Sequence, residues 1–383
     1  MKVLSVLTYY LPHVSGLTIY VERVSRALVQ RGHNVTVLTS HYGRELARNE
    51  KIAGVDVLRV PVLLRASKGV VMPTFPWEVY RLAKECDVVN VHLPQVEAAE
   101  VAFVSRFLAR KPVVITYHCD IKLPPRPGSR ALERLIYLGH SLAARWADRI
   151  VTYTWDYAEN SSFLSRHLHK MRTFYPPIEV TSGSTGPSLR NDFHLDDAKI
   201  VGFAARFAEE KGVDYLMATI PYVMEHVPTV KYVFAGEYKN VLGEVVFQRL
   251  QPLIERYRDR LVFLGVLPPK DMARFYSACD VLALPSINST ESFGMVQVEA
   301  MFCGTPVVST DLPGVRESIR VTGMGEVVPC RDADALGKAL VKVLKNRPAY
   351  VKPREALAEI FNLKRTVDNY EKLFSEEIAR RKP

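Results

Sequence analysis

No run of apolar residues in this chain reaches the roughly 18 that a membrane-spanning helix needs, although apolar residues make up 48% of its 383 positions. The opening stretch Met1 to Leu11 reads as a buried first strand, because Pro12 and His13 interrupt it and no small-residue cleavage site follows. Cysteine is sparse. Cys86, Cys119, Cys279, Cys303 and Cys330 are scattered, odd in number and never spaced as Cys-x2-Cys. That excludes a disulfide framework or a zinc knuckle and points to a reducing, cytoplasmic setting. The spacing Gly-x-Gly-x-x-Gly is missing, which speaks against a nicotinamide enzyme. The basic excess lacks aromatic interleaving and a recognition motif, so nucleic acid is not an expected partner.

The charge that is present is uneven. The net charge is +10, and residues 1–180 hold 24 Lys and Arg against 15 Asp and Glu. A basic first half attracts phosphate or an anionic lipid surface. It is equally read as a solvated basic face.

Short β-branched runs alternate with helical segments. In the first half the runs are Lys2–Leu7, Val35–Thr39, Val57–Val60, Val88–Val91, Val113–Tyr117 and Ile150–Tyr153, with an amphipathic helix over Tyr20–Arg31. After a Pro/Gly/Ser-rich stretch at 181–187 the alternation restarts, with runs from Ile200, Lys231, Leu261, Val281, Pro306 and Gly325. This pattern predicts parallel sheets with helices on both faces. The expected organisation is a Rossmann-like unit over 1–180, a second over 188–362, and a terminal helix over 363–383 packing back on the first. Ligands of such sheets bind beyond the carboxyl ends of the strands, so the loops there are the candidate sites.

Four loops carry chemistry. Ser289 to Met301 follows the strand Val281–Leu284, with Glu291 and Glu299 eight residues apart and a helix expected to start near Phe293. Gly294 would let the backbone approach a ligand, and free helix amides suit a diphosphate. If the whole interval were helical, the carboxylates would stand roughly 12 Å apart and could hold opposite ends of an elongated ligand. Glu291 also reads as a capping acid and Glu299 as an ordinary helix carboxylate. The second loop, Arg206 to Lys211, offers a guanidinium fork and a mobile ammonium, or else a surface ion cluster with Glu209 and Glu210. The third holds His118 after Tyr117, able to donate to a sugar hydroxyl or a leaving oxygen, or to serve structure. The fourth, Ser15-Gly16, lies between the first strand and the first helix.

Taken in order, Arg31-Gly32-His33-Asn34-Val35, Tyr117-His118, Arg206…Lys211, Glu291-x7-Glu299 and Ala300-Met301-Phe302-Cys303-Gly304-Thr305-Pro306 resemble the family 4 retaining glycosyltransferases of the GT-B fold. The resemblance covers nearly the whole chain. It implies two Rossmann-like domains facing a central cleft, and transfer of a hexose from a nucleotide sugar, UDP before GDP, to an acceptor hydroxyl in glycolipid or polysaccharide synthesis. Glu299 would hold the ribose and Glu291 the donor sugar. The backbone at Phe293, Gly294 and Met295 would meet sugar and phosphates, and Arg206 and Lys211 would bind the diphosphate. His118 would contact the sugar near C6, Gly16 would lie near phosphates or acceptor, and the base would rest by Val266 and Leu267. Family members often carry two glycines in the first loop; here Ser15 stands in place of one, which weakens backbone approach there.

The resemblance further implies front-face substitution with retention and no covalent intermediate, the departing charge being met by Arg206, Lys211 and the helix N-terminus. No cofactor or metal is expected, because Asp332 of the one Asp-x-Asp reads as the cap of the next helix. The stretch with Arg130, Arg134, Arg145 and Arg149 among Leu132, Leu135, Ile136, Leu142 and Trp146 fits either an ordinary packed helix or peripheral contact with the inner, anionic face of a membrane, and so a sugar or lipid-linked acceptor. The competing readings are a sugar-nucleotide epimerase, a phosphorylase, and a non-catalytic nucleotide-sugar or polyanion binder.

Overall fold

The computed structural model describes residues 1–66, 69–123, 127–180, 189–193, 195, 197–239, 241 and 245–381. The stretch 181–187 and the expected start of the second domain at 188 lie outside these residues. The chain forms two compact units: Met1–Pro177 with Asn362–Pro383, and Ile178–Phe361.

In the first unit the strands are β1 (Lys2–Val6), β2 (Asn34–His41), β3 (Asn49–Ile52), β4 (Val55–Pro61), β5 (Leu64–Ala66), β6 (Gly69–Val71), β7 (Val88–Leu93), β8 (Val113–Tyr117), β9 (Arg149–Thr152) and β10 (Met171–Thr173). Eight of them make one sheet in the order β10-β9-β8-β7-β1-β2-β4-β3. All its pairs are parallel except β3 against β4; β5 and β6 form a separate hairpin. Every residue of β7 and β8 is buried, as expected of parallel strands covered on both faces.

The second unit holds β11 (Lys199–Ala204), β12 (Val230–Ala235), β13 (Leu261–Gly265), β14 (Val281–Leu284), β15 (Val307–Thr310) and β16 (Gly325–Val328). They form one parallel sheet in the order β13-β12-β11-β14-β15-β16. Counted within the unit that is 3-2-1-4-5-6, the doubly wound order, whose direction of winding reverses between β11 and β14. Separate apolar cores cover the two faces.

The helix Gly16–Gln30 buries Tyr20, Val21, Val24, Ala27 and Leu28 along one stripe, the spacing that makes a helix amphipathic. Its cap is Ser15, which exchanges bonds with Thr18 in a capping box. The helix Leu363–Arg381 belongs to the first unit. Val367, Tyr370, Leu373 and Phe374 on it are buried, each worth about 1.5–3 kcal/mol for the larger side chains. Arg31 donates to Asp368 at 2.7 Å and also pairs with Glu371, which accepts from His33 at 2.6 Å. Burial alone would raise the Glu371 carboxyl, but these partners hold it below its ordinary range.

Candidate active site

β11 and β14 flank the winding reversal of the second unit, and each delivers one of the predicted loops from its carboxyl end. Several contacts hold the two loops together. Ile287 N–H donates to Glu210 C=O at 3.0 Å. Lys211 Nζ donates to Glu291 Oε2 at 2.6 Å. Gly212, next to that lysine, sits at φ +64°, and a Cβ there would come within 2.0 Å of the Pro285 carbonyl oxygen. Only glycine allows this approach. Its spatial role was not legible from the sequence, since Pro285 lies more than 70 positions away.

The Lys211–Glu291 pair is mostly enclosed, with side chains 21% and 14% exposed. Ser286 Oγ adds a longer contact to the same carboxylate oxygen, at 3.4 Å. Arg206 donates to Glu210 at 2.6 Å and remains 39% exposed. Of the two acids offered as its partners, Glu209 instead pairs with Arg249. Both cations thus hold carboxylate partners that a diphosphate could replace.

The helix after β14 begins at Met295, with Gly294 as its left-handed cap at φ +74°. It starts two residues later than expected, because the left-handed turn at Gly294 delays it. Gly294 is required by that turn and by Leu284, whose Cδ2 would lie 2.4 Å from an added Cβ. The amides of Met295 and Val296 have no acceptor among the described residues, as helix geometry dictates for a first turn. Phe293 is buried against Phe361, so it presents backbone rather than ring. Glu299 is the fifth residue of this helix. Half of the interval from Glu291 is therefore not helical, and the 12 Å separation argued from an unbroken helix does not apply. Tyr276, itself buried, donates its hydroxyl to Glu299 Oε2 at 3.0 Å; its role was invisible in the sequence. Beyond β13, Val266 is 72% exposed and Leu267 packs partly on a core.

The remaining two candidates lie in the first unit. Gly16 is the first residue of its helix, directly after the Ser15 cap. Serine in place of a second glycine thus serves the helix end. His118 follows β8, is 4% exposed, and bonds through both ring nitrogens: Nε2 to His92 Nδ1 at 3.0 Å and Nδ1 to the Tyr153 hydroxyl at 2.5 Å. Burial, reinforced by the neighbouring His92, pushes its pKa well down, so it is neutral. Of the two roles offered for His118 from the sequence, the structural one is on view here, with both nitrogens engaged; contact with a substrate requires that one of these partners be replaced.

Asp332 accepts from Ala335 N–H at 2.8 Å and caps the helix Ala333–Lys345. The helix Ser129–Trp146 exposes Leu132, Leu135 and Leu138. Arg149, grouped with this helix from the sequence, instead begins β9 and pairs with Glu377 at 3.2 Å. No helix among the described residues is long and apolar enough to cross a membrane.

Two α/β units, one wound in the order of nucleotide-binding sheets with cations and free helix amides at its reversal, define a nucleotide-dependent enzyme of the GT-B type. Residues 15–174 match the glycosyl transferase 4-like domain and residues 188–360 match the glycosyl transferases group 1. The chain is 28% identical to a D-inositol 3-phosphate glycosyltransferase of Acidothermus cellulolyticus over 96% of its own length and 87% of that relative's. It is 26% identical to a phosphatidyl-myo-inositol mannosyltransferase of Mycobacterium leprae, over 86% and 84%. Its fold is similar to that of sucrose-phosphate synthase from Thermosynechococcus elongatus, with a TM-score of 0.79 at 18% identity, over 99% of both chains. Anabaena HepE in complex with UDP and glucose gives 0.77 at 20%, over 98% and 99%. The chain belongs to the group 1 glycosyltransferases of the GT-B fold, enzymes that use nucleotide-sugar donors.

Proposed function

We propose that this enzyme transfers a hexose from a nucleotide sugar, UDP before GDP, to a hydroxyl of a phosphoryl-bearing acceptor, with retention of configuration. The observation that carries the reading is the Lys211–Glu291 pair at 2.6 Å, in loops that also hold Arg206 and lead to the free amides of Met295 and Val296. When a donor enters, its diphosphate takes over Arg206 and Lys211 from Glu210 and Glu291. Glu291 is then released toward the sugar, and Glu299, oriented by Tyr276, toward the ribose. The acceptor hydroxyl attacks from the face the leaving group departs and passes its proton to a phosphate oxygen. The protein stabilises the departing charge with groups already in place.

In this reading the diphosphate needs no divalent ion, because two cations and a helix end meet its charge. Activity abolished by a chelator and restored by manganese would overturn that part. The UDP preference draws on HepE, whose structures contain UDP. The phosphoryl acceptor draws on the inositol-phosphate names of the relatives and on the charge of the first unit. A pocket of about 480 Å³ there is lined by Arg130, Arg134 and Arg166 against the carboxylate of Glu133, with Tyr137 and Ser162. The three leucines exposed on the same helix suit an acceptor held at an anionic membrane, which vesicles of anionic lipid at low salt would test.

The deciding experiment is thermal stabilisation by a panel of nucleoside diphosphates and nucleotide sugars. A ligand at roughly 100 times its Kd adds about 2.7 kcal/mol. UDP compounds should stabilise the protein, and Arg206→Ala and Glu299→Ala should lose most of the effect. A folded protein that ignores the whole panel sinks the reading. Conversion of the donor to an epimer without acceptor would favour the epimerase.

A further inference from the structure

Seven buried polar side chains of the first unit form one unbroken chain of hydrogen bonds. The Tyr20 and Tyr370 hydroxyls lie 2.9 Å apart, and Tyr370 lies 2.9 Å from Thr116 Oγ1. Thr116 Oγ1 is 3.0 Å from Asn90 Oδ1, and Asn90 Nδ2 is 3.2 Å from His92 Nε2. His92 Nδ1 is 3.0 Å from His118 Nε2, and His118 Nδ1 is 2.5 Å from the Tyr153 hydroxyl. Burial pushes the His92 pKa down to about 3 and that of His118 well down too, so both rings are neutral. A neutral imidazole has one donor and one acceptor nitrogen. Each link then fixes the next, and the chain can run in only two directions.

The two ends differ. Tyr20 is fully enclosed and its hydroxyl has no second partner among the described residues, whereas Tyr153 keeps 6% of its surface exposed. If Tyr20 accepted, its own proton would be buried without an acceptor, which costs about 1–3 kcal/mol; a vacant lone pair costs less. Tyr20 therefore donates to Tyr370, Tyr370 to Thr116, and Thr116 to the Asn90 carbonyl. The Asn90 amide donates to His92 Nε2, His92 Nδ1–H to His118 Nε2, and His118 Nδ1–H to Tyr153.

We propose that Asn90 and His92 are positioning residues that hold His118 as the tautomer protonated on Nδ1, leaving Nε2 an acceptor. A substrate hydroxyl that replaces His92 at Nε2 must then be the donor. Only this last consequence rests on the reading of His118 as a sugar contact. The tautomer itself stands on the hydrogen-bond chain between two rings that burial keeps neutral.

The test is a long-range proton–nitrogen correlation spectrum of the full chain labelled with 15N-histidine, without substrate, the His118 signals being assigned by their loss in His118→Gln. The expected result is a protonated Nδ1 and an unprotonated Nε2. A proton on Nε2, or an even mixture, overturns the proposal. Asn90→Asp supplies a carboxylate that only accepts, so His92 must donate from Nε2 and His118 from its own Nε2: the two His118 signals exchange character. An unchanged His118 in a folded Asn90→Asp variant also overturns it. Should that variant fail to fold, Tyr20→Phe removes the enclosed proton and should turn one His118 form into a mixture of two; a single unchanged form counts against the proposal. The nucleotide panel fails or succeeds independently, so a wrong tautomer and a wrong function are told apart.

Discussion

Replacing Lys211 with alanine should cost stability and donor binding together, and a second substitution should separate the two. At 2.6 Å the Lys211–Glu291 pair has a Coulomb attraction of about 6 kcal/mol at an effective dielectric near 20, from which the desolvation of both groups is subtracted. Breaking a fully buried pair costs about 3–5 kcal/mol, and a surface pair about 0–1. With the side chains 21% and 14% exposed, Lys211→Ala should lose about 2 kcal/mol. For a unit the size of Ile178–Phe361 that corresponds to a Tm lower by roughly 4–8 °C. Most of the loss is the stranded Glu291 carboxylate, left among the described residues with Ser286 at 3.4 Å. Lys211→Ala combined with Glu291→Ala should therefore regain at least about 1 kcal/mol over the single variant, while UDP still fails to stabilise the protein. Calorimetry of the wild type, both single variants and the double variant, each with and without UDP, reads both quantities. Additive losses, or a double variant that binds UDP normally, would refute the reasoning.

Gly212→Ala should destabilise the second unit by about 2–4 kcal/mol, from left-handed strain and the clash with Pro285, and should weaken UDP binding by parting the two loops; calorimetry with and without UDP checks both. Acid should weaken the first unit early. Burial pushes down the pKa values of His92, of His118, where His92 adds to the effect, and of His140, to about 4. The unfolded chain therefore binds protons that the folded unit refuses. Stability is present above the ordinary histidine range and falls as pH drops through it, by about 1.4 kcal/mol per pH unit for each ring. From pH 7 to 5.5 the three together should remove about 4 kcal/mol, read by denaturant unfolding at the two pH values. A flat profile would mean that these rings accept protons in place.

The strands with strong apolar runs were legible, because a parallel strand buried on both faces carries its signal in its own residues. Val113–Tyr117 and Val281–Leu284 match the observed bounds, and the terminal helix runs Leu363–Arg381. The edge strands β3, β5, β6 and β10 were not. Asn49–Ile52 is mostly exposed and polar, and its strand character comes from β4. At the site, residue types were readable but not their partners. Lys211 and Glu291 are 80 positions apart, and His118 is joined to residues 26 and 35 positions away. Periodicity cannot report such meetings, nor that Gly294 would delay a helix by two residues.

The return of the last helix to the first unit sets an order on synthesis. The second unit is one continuous segment, Ile178–Phe361, and can close as soon as it has emerged. The first unit lacks Tyr370 and Phe374 until some 200 residues later, roughly 10–40 s at common elongation rates. During that interval Tyr20 and Thr116 have no hydroxyl to meet, and Arg31 and His33 have no carboxylates. A ribosome halted between the two events would carry a nascent chain with a finished second unit and an open first sheet. The first unit is thus closed by the helix Leu363–Arg381, and chaperones that bind exposed apolar surface should hold this nascent chain until that helix arrives.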